Sequence, residues 1–133
     1  MLAWVALGSA LGGAARFLVS GWIARKVGET FPWGTMAVNV TGAMAIGAMA
    51  MLADLGKLGA LAATGWPDAW PAIVVGFLGS YTTVSSFSLQ TLALARDGDW
   101  VRAGGNVALS LALCLGAVAV GYRLAAAAAG GPW

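Results

Sequence analysis

Side chains able to hold an ion or move a proton are scarce in this chain, and those present gather in one place. The stretch GSYTTVSSFS, Gly79 to Ser88, carries hydroxyl groups on seven of ten residues, inside a run from Ala69 to Ala95 that has no charge. Serine and threonine oxygens, with main-chain carbonyls, are hard ligands that suit an alkali cation such as Na⁺ and not a transition metal. Two local structures would use them. A helix break near Gly79 to Thr83 would free carbonyls, which lipid tolerates only where they are buried in protein or face water and which can hold a dehydrated cation at mid-membrane. Alternatively, the hydroxyls bond back to carbonyls one turn earlier and bend a continuous helix.

Three further polar positions stand out against an apolar background. Asn39 is the sole carboxamide in the stretch WGTMAVNVTGAMAIGAMA, among Gly42, Ala43, Gly47 and Ala50. It either bonds across a helix interface, for about 1 kcal/mol or less, or points its NH2 into a pore as a neutral donor. Asn106, Ser110 and Cys114 recur at i, i+4 and i+8 and share one helix face, where OH and NH groups are available as donors. Gly8, Gly12, Arg16 and Ser20 form a similar stripe. Its glycines read as a close-packing seam. Arg16 costs a few kcal/mol inside a span and faces a water-filled vestibule or a partner.

The elements that must position these groups follow from composition. Of 133 residues, 60% are hydrophobic and 9% charged, far below the roughly 25% charge of soluble domains. This composition describes an all-α integral membrane protein forming a single domain. At about 20 apolar residues per crossing, the charged and turn residues divide it into four spans, near 2–24, 33–53, 69–95 and 103–122. The tail RLAAAAAGGPW reads as a frayed helix end. A secretory signal peptide is disfavoured because the cation of the first span, Arg16, lies in its middle and not before it. Loop cations divide as Arg25, Lys26, Arg96 and Arg102 against Lys57 and Arg123. That bias is weak enough to permit insertion in both orientations. A net charge of +2 from scattered cations gives no basis for nucleic-acid binding. One cysteine and no histidine remove internal disulfides, thiolate or imidazole metal sites and histidine catalysis.

The motifs taken together resemble the fluoride channels of the CrcB/Fluc family. GFLGSYTTVSSFS, Gly76 to Ser88, resembles that family's third-helix signature, approximately GFxGGxTTFSTFSxE. GGAARF, Gly12 to Phe17, looks like its first-helix motif, and WGTMAVNVTGAMAIG, Trp33 to Gly47, like its GTLxVNxxGxxxxG segment. The resemblance covers all four helices. It implies an antiparallel, dual-topology homodimer of four-helix subunits in a bacterial inner membrane, each third helix broken near its middle. Two pores at the interface would carry fluoride passively and confer fluoride resistance.

Carried onto this sequence, the resemblance assigns a structural Na⁺ to the carbonyls of Gly79 and Thr82. It places Asn39, Thr83, Phe87, Ser85, Ser86 and Ser110 along the pore and Arg16 at a vestibule. Three positions depart from the pattern. Val84 stands where the family has the first phenylalanine of a pair, Gln90 replaces a vestibule glutamate, and Asn106 supplies an amide where a tyrosine is common.

Physical chemistry agrees with this assignment. A path for a small, strongly hydrated anion needs neutral donors in place of water and no fixed cation that would trap it. Hydroxyls, amides and the positive edge of a phenyl ring meet that need. A small multidrug-type exporter would require a carboxylate within a span, and these spans contain none. A non-transporting four-helix subunit, in which the small and polar residues are only packing, is the other alternative. The same lack of histidine and of carboxylates within the spans argues against an enzyme.

Overall fold

The computed structural model describes residues 1–56 and 68–130. Most of the second loop, Lys57 with it, and the last three residues lie outside the described residues. Helices α1 (Leu2–Val27) and α2 (Trp33–Asp54) are followed by a third crossing built in pieces. These are α3 (Pro71–Leu78), which is π-wound, α4 (Gly79–Tyr81) and α5 (Val84–Arg96); α6 (Trp100–Ala129) completes the chain. Among the described residues, four helical stretches, at 2–27, 33–54, 71–96 and 100–129, are long and apolar enough to cross a membrane. No strand occurs among the described residues.

Local chemistry sets the ends. Gly28 leaves α1 at φ 90° and turns the chain toward Pro32, just before α2, a conformation that glycine adopts without a Cβ penalty. Pro71 opens α3, where a missing N–H costs nothing. Asp99 caps α6 by accepting from the Arg102 amide at 3.1 Å, so this helix starts three residues before the position predicted from hydropathy. The tail also departs from expectation. It does not fray after Tyr122 but stays helical through Ala129, because alanine is the strongest helix former and Gly130 closes the helix in the left-handed conformation at φ 68°.

In packing, α2 lies mainly against α6 and α1 mainly against α3, while α1 also touches α2 and α4 and α5 packs on α6. Glycines set the closeness. A Cβ at Gly8 would run into the Ala72 carbonyl oxygen and one at Gly12 into that of Phe77, while Cβ atoms at Gly47 and Gly121 would strike the carbonyls of Val118 and Met44. Gly8 and Gly12 are therefore a packing seam. The core is thin and built of small residues around Val38, Met36 and Met51, whereas Leu7, Leu11, Phe17, Leu111 and Leu115 point outward. Burial outside the molecule, in lipid or against another chain, must supply much of the remaining apolar contact.

A methyl group separates the two kinds of glycine experimentally. Gly121→Ala must push apart α2 and α6 and is expected to lose about 1–3 kcal/mol, whereas Gly116, with nothing near its absent Cβ, accepts alanine unchanged. Unfolding midpoints in mixed detergent micelles measure both, and equal midpoints would refute the close-approach account.

Candidate functional site

Helical conformation stops at Tyr81, the Thr82 amide making the last i→i−4 bond to the Leu78 carbonyl at 3.0 Å, and resumes at Val84, with Thr82 (φ −77°, ψ 155°) and Thr83 (φ −149°, ψ 122°) extended between. Three residues of α2 hold this segment in antiparallel register. Asn39 donates from Nδ2 to the Thr83 carbonyl at 2.9 Å, and its Oδ1 accepts the Thr83 amide at 2.7 Å. The carboxamide thus stands in for a neighbouring peptide unit. Two residues on, the Thr41 hydroxyl donates to the Ala37 carbonyl and lies 2.9 Å from the Tyr81 hydroxyl. Gly42 leaves room for the Thr82 methyl, which a Cβ there would strike. The Tyr81 ring also stacks on Phe77, centroids 5.9 Å apart and 8° from parallel.

This bracket changes which carbonyls have partners. In an uninterrupted helix the Thr83 amide would serve the Gly79 carbonyl and the Ser86 amide the Thr82 carbonyl. Here Asn39 takes the first, and the Thr83 hydroxyl takes the second at 3.2 Å, capping α5. Both carbonyls are released from their helical donors at the same place. Thr82 Oγ1 turns back to the Leu78 carbonyl at 2.9 Å, so back-bonding and the interruption occur together.

Three cavities with shared lining residues lie along this segment. An outer one of about 520 Å³ is bordered by Glu29, Asp97, Gln90, Ser86, Thr35 and Ser20. Ser86, Thr35 and Ser20 also border a middle cavity of about 210 Å³ that Arg16 and Thr83 complete. Thr83 in turn lines a groove of about 470 Å³ with Asn39, Thr82, Val84, Phe87 and Ser110. Among the described residues no carboxylate pairs with Arg16.

Several donors facing these spaces are uncommitted. Thr83 Oγ1 donates toward Ser86 Oγ at 3.3 Å, which leaves the Ser86 hydrogen available. Asn39 spends one of its two amide hydrogens on Thr83. Ser110 is 9% exposed, and no described residue hydrogen-bonds its hydroxyl.

Of the residues singled out from sequence, the cavities gather Arg16, Gln90, Ser86, Thr83, Thr82, Asn39, Val84, Phe87 and Ser110. They do not gather Gly79, Ser85 or Asn106. Gly79 and Ser85 are exposed, Ser85 lying 3.1 Å from the Thr83 hydroxyl. Asn106 is 2% exposed and donates to Thr91 Oγ1 at 2.8 Å, while Thr91 donates to the Phe87 carbonyl at 2.7 Å. That chain braces α5 on α6. Thr35 was missed, although it sits one turn before Asn39 on the same face; Thr41 and Thr91 were missed because their partners lie on other helices.

Four apolar crossings among the described residues define a multi-pass membrane protein, and the groove beside the interrupted third crossing is uncharged, largely apolar, with a few hydroxyl and amide groups on its wall. The chain belongs to the CrcB family: the family model described as "CrcB-like protein, Camphor Resistance (CrcB)" matches residues 3–122. It is 56% identical over 121 residues to a Bradyrhizobium diazoefficiens protein named fluoride-specific ion channel FluC 2, covering 91% of this chain and 85% of the relative. A Rhodopseudomonas palustris protein of the same name is 56% identical over 124 residues, 93% of this chain and 92% of the relative. An Opitutus terrae fluoride-specific ion channel FluC is 54% identical over 120 residues, 90% and 87% of the two chains. The family is one of ion channels, and the chain is not an enzyme.

The bracket has a measurable signature. Asn39→Ala leaves the Thr83 amide and carbonyl without partners, a cost of about 1–3 kcal/mol per buried group. Hydrogen exchange at the Thr83 amide is expected to accelerate strongly relative to amides in α6, and an unchanged rate would show that Asn39 does not hold the segment.

Proposed function

We propose that this chain is a fluoride-selective channel, passing fluoride down its electrochemical gradient and out of a bacterial cell across the inner membrane. Two antiparallel copies form a homodimer with two pores at their interface. The observation that carries the reading is the groove: it presents spare hydrogens from Asn39 and Ser110 and the ring of Phe87, without a charged residue on its wall. The names of the relatives supply the anion. The interface is supported by the openness of the groove to the outside of the subunit, where Val84 is 77% exposed, a surface that a second copy would cover.

Mechanistically, Arg16 draws an anion into the middle cavity, where its guanidinium, with no ion pair among the described residues, raises the local concentration without sitting in the groove itself. Ser86 and Thr83 receive the ion as water is left behind. The Asn39 amide and the Ser110 hydroxyl then replace hydration with neutral donors, and the positive rim of Phe87 adds a weak attraction. Because none of these groups carries net charge, the ion is held weakly enough to move on.

The third crossing works, in this reading, as a broken helix whose Gly79 and Thr82 carbonyls hold a structural Na⁺. Their donors fit: two hard oxygens released from helical partners, with no carboxylate nearby to favour a divalent ion. Bound there, Na⁺ would supply a fixed charge that ties the broken segments together. Exchange of Na⁺ for N-methylglucamine is then expected to lower the melting temperature of the detergent-solubilised dimer, and an unchanged melting curve would remove the cation from the account.

Fluoride-loaded liposomes, clamped with valinomycin and read with a fluoride electrode, test the channel itself. Rapid fluoride efflux with little chloride efflux is expected, reduced by Phe87→Ile and by Asn39→Asp, which places a negative charge on the path. Silence from a well-folded dimer would instead favour a non-transporting membrane subunit.

A further inference from the structure

The π winding of α3 is rare in proteins, where it occurs mostly as a short insertion in α-helix, frequently beside a functional site. Here α-type bonds bound it on both sides. The Ala72 amide donates to the Asp68 carbonyl at 3.0 Å before it, and the Thr82 amide to the Leu78 carbonyl at 3.0 Å after it, each four residues back. At the exit the Gly79 amide reaches five residues back, to Val74, and also touches the Gly76 carbonyl. Between the Gly79 and Thr82 bonds lie the carbonyls of Val75, Gly76 and Phe77 but only the amides of Ser80 and Tyr81. The stretch holds one residue beyond an α pattern.

The reason for the extra residue lies on α1. Gly8 and Gly12, four residues and about 6 Å apart along one face, meet the carbonyls of Ala72 and Phe77, which are five residues apart. A Cβ at Gly8 would also come within 3.1 Å of the Phe77 amide nitrogen, and Gly76 faces the Val5 carbonyl and the Gly8 Cα. In α winding, residues five apart point about 140° from each other, so Ala72 and Phe77 could not both meet α1. In π winding they lie a turn apart on one face. The other end of the stretch leads into the bracket: Phe77 stacks on Tyr81, and Thr82 and Thr83 run on to Asn39.

We propose that α3 is a register device, in which one stored residue couples the α1 seam to the Asn39 bracket. Rewinding to α with Ala72 held at Gly8 turns Phe77 away from Gly12 and carries Gly79 to Thr83 off Asn39. The interrupted segment can thereby leave its bracket while the start of α3 stays seated on α1.

The test removes the stored residue from the full chain. Val75 is 60% exposed, and its deletion leaves Ala72 and Phe77 four residues apart, the spacing at which α winding alone presents both to Gly8 and Gly12. Deletion of Leu89, 68% exposed in the α-wound part of the same crossing, is the control, because it turns Thr91 away from Asn106 or Phe87 out of place. In mixed detergent micelles the Val75 deletion is expected to keep the unfolding midpoint of the unaltered chain, and the Leu89 deletion to lower it. Hydrogen exchange at the Thr83 amide should slow severalfold in the Val75 deletion relative to amides of α6, since the slack that lets the segment disengage is gone. A midpoint that falls as far as in the Leu89 deletion would show that α3 stores no residue. A retained midpoint with unchanged or faster exchange at Thr83 would separate the winding from the bracket and overturn the inference as well. Neither readout needs conduction, so the result stands apart from the channel reading.

Discussion

A membrane protein cannot leave a peptide group bare in hydrocarbon, and in this chain the carboxamide of Asn39 meets that constraint where helix stops. Two hydrogen bonds of 2.9 and 2.7 Å to Thr83 contribute only about 0.5–1.5 kcal/mol each, but leaving both groups unmade would cost more than either contributes. The bracket also decides geometry. It fixes α2 against the start of α5, orients the Thr83 hydroxyl to cap that helix, and sets free the Gly79 and Thr82 carbonyls. Much of the candidate site is therefore a consequence of one side chain acting as backbone.

The bracket works because the surrounding helices can come close. The segment Asn39 to Gly42 delivers an amide, a hydroxyl and a missing Cβ to Thr83, Tyr81 and Thr82 in order. Farther along, Gly47 and Gly121 seat α2 on α6, and Gly8 and Gly12 seat α1 on the third crossing. In lipid there is little hydrophobic drive between helices, so van der Waals contact at these glycines does the work that apolar burial does in water. Large side chains, displaced from the interior, cover the outside.

Sequence reading reached the number of crossings, the packing role of Gly8 and Gly12 and the exceptional character of Gly79 to Ser88, since hydropathy and helical spacing report span and face directly. It did not reach partners. Periodicity puts Asn39 on a face of α2 but cannot say that a main-chain peptide waits opposite, and it gives Asn106 and Ser110 the same face although one braces Thr91 and the other lines the groove. The long helical tail was missed for a different reason. Hydropathy was read as the end of the membrane span, whereas alanine propensity carries α6 on to Gly130 regardless of where the span stops.

The departures from the family pattern acquire physical meaning once these commitments are known. Asn106 has its amide engaged with Thr91 and lies at 2% exposure outside the cavities, so the groove gains no donor from it. Val84 is exposed and lines the groove at the position where the resemblance expects a phenylalanine, so in the proposed reading the groove would lose one weak anion partner without gaining a charge or a donor. The neutral amide of Gln90, in place of a carboxylate, borders the outer cavity together with Glu29 and Asp97, which leaves that cavity with less negative charge than a glutamate there would give it. Val84 and Gln90 line different cavities, so the two departures would act at different points of the proposed path. If the proposed channel reading holds, one would weaken attraction inside the groove, the other would ease entry to it, and the burden of replacing hydration would fall on Asn39, Ser110 and the single ring of Phe87.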